Sequence, residues 1–301
     1  MPSSGSSAIR SATSLQEVDV SSPPVARRQL SAQMRAKRLS AGMTAEQAAA
    51  ALEWSTTKIS NIETGRSKHP AVTDIRLLLE LYGVTDTRER DAILDLTRQS
   101  RHRGWWARYD DVLTGAYTAL EAGATRLRLW EPQFIPGLLQ LPEYAAAVAQ
   151  ATLIRDPDAV ARVVEARAHR QELLTREDPP EVWAIIDEHA VRLLAATDTS
   201  LYHRQVGHLA DLAEDTNSVT IQILRSERLG LHPGMGGPFA ILEHDDPAGP
   251  GMATVFLETD TDGLYLDKPP EIDRYRALFD RLTAKAMDPD SVGAYLRSLI
   301  S

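Results

Sequence analysis

The stretch from Trp54 to Arg66 constrains the fold of this chain more than any other part of it. Read at about 100° per residue, it predicts a short helix on which Ile59 and Ile62 share one narrow apolar edge. Short uncharged polar side chains fill the opposite arc: Thr56, Thr57, Ser60 and Asn61. Ser55 suits the N-cap, and Gly65 suits the left-handed residue that ends a helix. This pattern is typical either of an ordinary surface helix or of a helix that inserts into a partner molecule.

The segments before and after this helix predict a small all-α unit. A basic helix is predicted from Val25 to Ala41. Thr44 and Gln47 then form a capping box for a second helix from Ala45 to Leu52, and a strongly apolar helix ends at Gly83. A helix, a short turn and a polar-faced helix make up the helix-turn-helix arrangement of DNA-binding proteins.

The same unit matches a known residue pattern without a gap. The matching residues are Gly42, Met43, Thr44, Glu46, Ala49, Ser55 to Arg66, and Pro70. On these residues the segment 25–84 resembles the lambda-repressor/Cro-like, or xenobiotic-response-element (XRE), class of DNA-binding domain. One departure is Glu53, in the turn where this class usually has Gly. A left-handed backbone at a non-Gly residue costs about 1 kcal/mol.

This resemblance implies roles for individual residues. It implies base-edge contacts from Thr56, Thr57 and Asn61. It implies phosphate contacts from Thr44, Thr64 and Lys68, and a structural pair between Arg38 and Glu63. We add Ser60, from the same polar arc, to the expected base contacts. We add Ser55, Lys58 and Arg66 to the expected phosphate contacts.

Charge is divided unevenly along the chain, whose net charge is −9. Residues 25–70 hold eight Lys and Arg against three Glu, a net charge of +5. Residues 1–24 carry −1, which leaves −13 for residues 71–301. A small basic module joined to a large acidic one indicates that only the first meets phosphate.

Length and composition narrow the class of protein further. A chain of 301 residues favours two folded units, and 43% apolar with 25% charged residues is typical of a globular protein. No uninterrupted apolar run approaches the roughly 20 residues that span a bilayer. The start lacks the apolar core of a secretory signal. The absence of cysteine excludes disulfides, thiolate catalysis and Cys-based metal sites, and it suits a cytoplasmic protein.

The expected fold is α+β, with an N-terminal all-α helix-turn-helix domain followed by a mixed α/β domain with one sheet. We predict a disordered tail over 1–24, the helix-turn-helix domain over 25–84, a connecting helix over 85–104 and the α/β domain over 105–301. Six short runs predict strands at 126–129, 182–186, 219–224, 239–242, 254–257 and 264–266. Their order in the sheet does not follow from the sequence.

The second part of the chain also carries recognisable landmarks. They include Trp105-Trp106, Glu131 to Gln140, Arg170 to Leu174, Asp187-Glu188, His232-Pro233-Gly234 and Leu264 to Pro269. Together they resemble the C-terminal domain of unknown function that is attached to many actinobacterial helix-turn-helix regulators. The resemblance implies a transcriptional regulator, often encoded beside a small partner protein. It implies no ligand and no reaction.

Two loops are open to more than one interpretation. The glycine-rich segment 230–238 lacks the lysine and the following helix of a phosphate-binding loop. It therefore predicts a connection between strands, or a loop that faces a ligand. The stiff segment 131–137 predicts either the lining of a pocket or partner surface, or packing onto the core.

Acidic and histidine patterns give no catalytic or metal site. Glu258, Asp260 and Asp262 resemble the start of a calcium loop, but Pro269 stands where the bidentate Glu is needed, so we predict an acidic surface turn. Asp187 to His189 follow an apolar run and suit either a catalytic strand end or, more simply, the start of a helix. The spacing of the histidines matches no metal motif.

These observations lead to one main expectation and one alternative. We expect a cytoplasmic, sequence-specific transcriptional regulator that binds double-stranded DNA as a homodimer, with the helix over 55–64 in the major groove. No catalytic residue, cofactor, metal or membrane contact is expected. The alternative is an antitoxin-like interaction module, whose acidic C-terminal domain binds a small partner protein or a small-molecule effector.

Overall fold

The computed structural model describes residues 23–67, 69–101, 104–109, 111–112, 116–215, 218–228, 230–245, 251–259 and 263–301. Several predictions concern residues outside these ranges. They are the disordered tail up to residue 22, the phosphate contact of Lys68, and Asp260 and Asp262 of the acidic turn.

The N-terminal part is all-helical, as predicted. Its helices are α1 (Pro23–Ser40), α2 (Ala45–Ala51), α3 (Thr56–Glu63), α4 (Val72–Leu81) and α5 (Thr87–Gln99). They bury one common core that contains Met34 of α1, Ile59 of α3 and Leu79 of α4. Ile93 and Leu94 of α5 belong to the same core. The predicted connecting helix therefore packs onto the helix-turn-helix unit.

The C-terminal part contains one mixed sheet of six strands, in the order β3-β2-β1-β4-β5-β6. The strands are β1 (Arg126–Glu131), β2 (Glu181–Asp187), β3 (Val219–Leu224), β4 (Phe239–His244), β5 (Met252–Glu258) and β6 (Gly263–Leu266). β1, β2 and β3 run parallel, whereas β4, β5 and β6 pair with antiparallel neighbours. All six predicted strands are confirmed, and so is the single sheet.

Helices cover both faces of this sheet. They are α6 (Tyr117–Ala122), α7 (Pro142–Ala151), α8 (Pro157–Gln171), α9 (Glu188–Arg192), α10 (Thr199–Asp215), α11 (Pro269–Thr283) and α12 (Pro289–Ser298). Leu127 and Ile221 point to a core that includes residues of α6, α7, α10 and α12. Ile185 and Ile241 point to the opposite core, which is closed by α11 through Phe279. Burial on both faces explains why β2 and β3 are largely apolar, whereas β1 alternates Arg126 and Arg128 with apolar residues.

The first turns of α1 connect the two parts of the molecule. Val25 is 1% exposed and belongs to the core of the sheet domain, together with Leu120 of α6. One turn later, the Arg28 guanidinium donates a hydrogen bond of 2.7 Å to the Thr254 hydroxyl of β5. Leu30 and Met34, further along the same helix, lie in the helix-turn-helix core. A single helix thus contributes to both cores.

Candidate nucleic-acid interface

Capping groups fix the start of α2 and of α3. The Thr44 hydroxyl accepts the Gln47 amide at 3.2 Å, and the Gln47 side chain accepts the Thr44 amide at 2.8 Å. The capping box is therefore present as predicted. The Ser55 hydroxyl accepts the Lys58 amide at 3.2 Å, and Gly65 follows the helix with a φ of +70°. Local sequence thus sets both ends of α3.

The turn between α2 and α3 has a left-handed residue, as the family pattern predicts. Glu53 has a φ of 55°, a conformation that glycine adopts without steric cost. The next amide, that of Trp54, returns to the Ala49 carbonyl at 2.8 Å, which closes the end of α2. The turn keeps its shape despite the side chain at residue 53.

The two sides of α3 differ as the sequence pattern requires. Ile59 and Ile62 are buried against the helical core. Among the expected base-contacting residues, Thr56, Thr57 and Ser60 are exposed, whereas Asn61 is half-buried. The Asn61 backbone carbonyl accepts the Ser67 amide at 3.0 Å. The outer surface of α3 therefore presents short, uncharged donors and acceptors to solvent.

A buried ion pair holds α3 against α1. Arg38 donates from Nε to Glu63 Oε1 at 2.7 Å and from Nη2 to Glu63 Oε2 at 2.8 Å. Its third nitrogen, Nη1, donates to the Met43 carbonyl at 2.8 Å. The side chains of Arg38 and Glu63 are 10% and 8% exposed. This pair, which the resemblance implied, fixes the last turn of α3 relative to α1 and to the turn before α2.

Among the expected phosphate-contacting residues, three hydroxyls already make hydrogen bonds, and one arginine is exposed. The Thr64 hydroxyl donates to the Ser60 carbonyl at 2.7 Å, and those of Thr44 and Ser55 accept amides in the caps. These three hydroxyls are thus already engaged in the backbone of the helix ends. Arg66 is exposed beside them.

Lys58 has a local role that the sequence did not indicate. Its ammonium lies 3.6 Å from the centre of the Trp54 ring and 2.9 Å from Asp74 Oδ2 on α4. These contacts tie the first turn of α3 to the preceding turn and to α4. No local spacing connects Lys58 with Asp74, so only the packing of α3 against α4 reveals the pair.

Asp187 and Glu188, considered as a catalytic strand end, have structural roles. Asp187 is the N-cap of α9, and its Oδ1 accepts the His189 amide at 2.8 Å. Glu188 accepts the Ser226 amide and Arg192 Nε, each at 2.8 Å, and also the Tyr295 hydroxyl. The simpler interpretation, the start of a helix after a strand, accounts for both carboxylates.

Both loops with open interpretations line cavities of the sheet domain. The glycine-rich loop connects β3 with β4, as predicted, and Gly234 lies so close to the Trp130 ring that a Cβ would meet it at 2.6 Å. Gly236 and Gly237 of this loop line a cavity of about 340 Å³. In the segment 131–137, Ile135 is buried in the core, whereas other residues of the segment line a second cavity.

Metal-binding clusters and membrane-spanning helices can be assessed for the residues that the structure describes. None of their His, Asp and Glu side chains form a cluster of three or more that could hold a metal ion. None of their helices combines the length and the apolar character that crossing a bilayer requires.

Comparison with known families matches both parts of the chain. A helix-turn-helix domain matches residues 29–93, which cover most of α1 to α5. A domain of unknown function (DUF5753) matches residues 114–297, more than half of the chain. The chain belongs to the DUF5753 family. Neither curated proteins nor solved structures gave a match.

These matches confirm a helix-turn-helix domain followed by a C-terminal domain of unknown function. The DUF5753 domain coincides with the sheet and its helices, from α6 to α12. The helix-turn-helix domain points to a DNA-binding regulator and to DNA as its partner.

Proposed function

We propose that this DUF5753 protein is a sequence-specific transcriptional regulator of the XRE type that acts in the cytoplasm. It binds double-stranded DNA as a homodimer, with α3 in the major groove. The observation that supports this most directly is the outer face of α3, where Thr56, Thr57 and Ser60 are exposed while Ile59 and Ile62 are buried. A helix of this kind can enter the groove without bringing a carboxylate against the bases.

The side chains on this face suit direct readout of base edges. An asparagine makes bidentate hydrogen bonds to adenine, so Asn61 is assigned to an A·T pair. The methyl groups of Thr56 and Thr57 suit contact with the thymine methyl, and the Ser60 hydroxyl suits either a donor or an acceptor. Specificity on this proposal comes from these four residues.

Backbone contacts would hold α3 in register. Arg66 is exposed at the end of α3, and Lys68 follows it in the sequence. The hydroxyls of Thr44 and Ser55 lie at helix N-termini, where peptide amides also favour an anion, whereas that of Thr64 lies at the C-terminal end of α3. Lys58 can contact a phosphate only if its ammonium leaves Asp74. We therefore expect Lys58 to contribute least to DNA affinity.

The small size of a single DNA-contacting domain favours a homodimer. One recognition helix buries little surface, and helix-turn-helix proteins bind tightly when two copies contact half-sites about 34–36 Å apart. The net charge of −13 on residues 71–301 repels DNA and confines contact to the basic end.

Titration against an operator selected from random DNA tests the proposal. Asn61→Ala is expected to reduce discrimination against a changed A·T pair by about 1–3 kcal/mol, with the salt dependence unchanged. Arg66→Ala is expected to weaken binding to all DNA sequences alike. It should also make the slope of log K against log salt concentration shallower by about one.

Arg281→Ala serves as the matched control, since Arg281 is exposed on α11 in the DUF5753 domain. This variant should leave both affinity and salt slope unchanged. Parent-like discrimination by Asn61→Ala would show that the recognition assignment is wrong. Selected DNA without two spaced half-sites would contradict the homodimer.

A further inference from the structure

A cavity of about 160 Å³ lies in the sheet domain, where the sheet changes from parallel to antiparallel pairing. The chain leaves β1 towards β2 on one side, while β4 lies on the other side of β1. In open α/β sheets, ligands bind in the crevice at the carboxyl ends of strands where the connections diverge in this way. The position of the cavity is therefore that of a ligand site.

The lining of the cavity is partly polar, and its apolar part lies on the sheet. Leu129 of β1, Ala240 of β4 and Phe256 of β5 are register partners and lie on the face of the sheet that α6 covers. Phe134 and Val163 add further apolar surface. The volume is below the roughly 300–1,000 Å³ of sites for drug-sized ligands, so the cavity suits a small molecule with an apolar body.

Two carboxylates lie at the edge of this apolar part. Glu131 follows Leu129 by two residues, and Glu258 follows Phe256 by two, so alternation places both on the cavity face. Their strands are separated only by β4, at about 10 Å. Both side chains line the cavity. Two acids therefore converge on one end of it.

The Glu131 carboxylate has an unsatisfied acceptor. Its Oε2 is shielded from solvent and has no hydrogen-bond partner among the described residues. A buried acceptor of this kind destabilises the protein unless it is paired. Burial, and then the nearby Glu258, raise the pKa of Glu131 well above its ordinary value, although Arg170 opposes this. The carboxyl group thus lacks a cationic donor.

The arginines of the cavity already have partners. Arg170 donates to both oxygens of Glu121, from Nε at 2.7 Å and from Nη2 at 2.8 Å. Arg167 donates to the Gln140 side chain and, at 3.4 Å, to the Ala145 carbonyl. Their fixed positions leave the Glu131 end as the side of the cavity whose hydrogen bonding is incomplete.

We propose that this cavity is an effector site for a small primary amine with an apolar body. The ammonium binds between Glu131 and Glu258, and the body lies on Leu129, Ala240 and Phe256. An ammonium supplies the donor that Glu131 Oε2 lacks and favours the ionised form of its carboxyl group.

Binding an ammonium would also ionise Glu131. The titratable and charged groups around Glu131 are Glu258 from β5, Arg167 and Arg170 from α8, Tyr117 and Glu121 from α6, and Tyr144 from α7. Burial raises the pKa of both tyrosines, so neither ionises near neutral pH. Because burial raises the pKa of Glu131 and an ammonium favours its ionised form, amine binding should release protons.

Three probes with the same body test the charge requirement: 2-phenylethylamine, 2-phenylethanol and phenylacetate. Calorimetric titration of the full chain is expected to show the amine binding at least about tenfold tighter than the alcohol or the acid. Titration in buffers of different ionisation heat should show proton release with the amine.

Glu131→Gln keeps the shape of the side chain and removes its charge. We expect it to weaken amine binding about tenfold or more and to abolish proton release. Glu258→Gln should weaken binding less, because Glu258 is exposed at the rim. Glu181→Gln is the matched control, since Glu181 is exposed at the start of β2, at the end of the strands opposite to Glu131.

Thermal unfolding of the ligand-free variants distinguishes a lost site from a misfolded protein. Glu131→Gln should melt at or above the temperature of the parent, because it removes a buried ionisable group. Absence of amine binding, tighter binding of phenylacetate, or amine binding unchanged in a folded Glu131→Gln would each overturn the proposal. The proposal does not depend on DNA binding, so failure of either one leaves the other intact.

Discussion

At the scale of single residues, Glu53 is the place where the chain departs from the local rule. Its φ of 55° is left-handed, and a side chain there costs about 1 kcal/mol. The packing of α2 and α3 overcomes this cost, because Ala49 on one side and Ile59 on the other are buried in the same core. Local strain is thus compatible with the geometry that aims α3.

Replacing this residue by glycine should stabilise the protein. Glu53→Gly is expected to raise the free energy of unfolding by about 1 kcal/mol, because glycine adopts the left-handed conformation freely. Ala50→Gly provides the control: Ala50 is exposed within α2, and glycine there should lower the free energy of unfolding by about 1 kcal/mol. Urea denaturation measures both changes. A destabilised Glu53→Gly would show that its side chain makes a contact worth more than the strain.

At the scale of elements, α1 belongs to two cores. Val25 lies in the core of the sheet domain, whereas Leu30 and Met34 lie in the helix-turn-helix core. In the sheet domain, α6 and β5 meet the start of α1, the latter through Arg28 and Thr254. Residues of both elements also line the amine cavity. A structural change at the cavity can therefore reach α1, the helix that packs against α3, through a single element, either α6 or β5.

The shared helix predicts a localised effect of a core substitution. Val25→Ala is expected to lower stability by about 1–3 kcal/mol through lost burial and an added cavity. Hydrogen exchange, followed peptide by peptide, should show faster exchange in α6 and β5. Val72→Ala is the matched control, since Val72 packs against the helix-turn-helix core and should affect α4 and its neighbours instead. Unchanged exchange in α6 after Val25→Ala would contradict a joint core.

At the scale of the whole molecule, a buried carboxylate joins the C-terminal helix to the sheet domain. Burial by itself raises the pKa of Glu188, but hydrogen bonds from Tyr295, Ser226 and Arg192 outweigh it and lower the pKa to about 2. Tyr295 belongs to α12, and Ser226 follows β3. Ionised Glu188 therefore holds together elements that are distant in the sequence.

This arrangement predicts the response of the fold to acid. The pKa of Glu188 is lowered from 4.5 to about 2 by folding, so its contribution is present above pH 4.5 and is lost as the pH falls towards 2. At neutral pH, Glu188→Gln should cost roughly 3 kcal/mol. Denaturation at several pH values should show the difference from the parent narrowing between pH 5 and pH 3.

An exposed acid provides the reference for this pH series. The Glu172 side chain is 72% exposed, so Glu172→Gln should change stability little at any of these pH values. A difference between Glu188→Gln and the parent that stays constant as the pH falls would show that ionisation of Glu188 does not stabilise the fold.

Much of the helix-turn-helix part was determined by the sequence itself. The capping box of Thr44 and Gln47, the N-cap Ser55 and the positive φ of Gly65 are local features, because each depends on contacts within a few residues. The strands were predictable for a similar reason, since apolar runs must be buried wherever they lie. The polar face of α3 was predictable as well, because it follows from the spacing of residues along one helix.

Only the tertiary structure decided what depends on residues far apart in the sequence. The order of the strands, the Lys58–Asp74 contact and the membership of Val25 in a second core follow from how elements pack. The amine cavity is the clearest case: Glu131 and Glu258 are separated by most of the domain and meet only because β1 and β5 flank β4. Hydrogen-bonded register brings such groups together, and no periodicity along the chain encodes it.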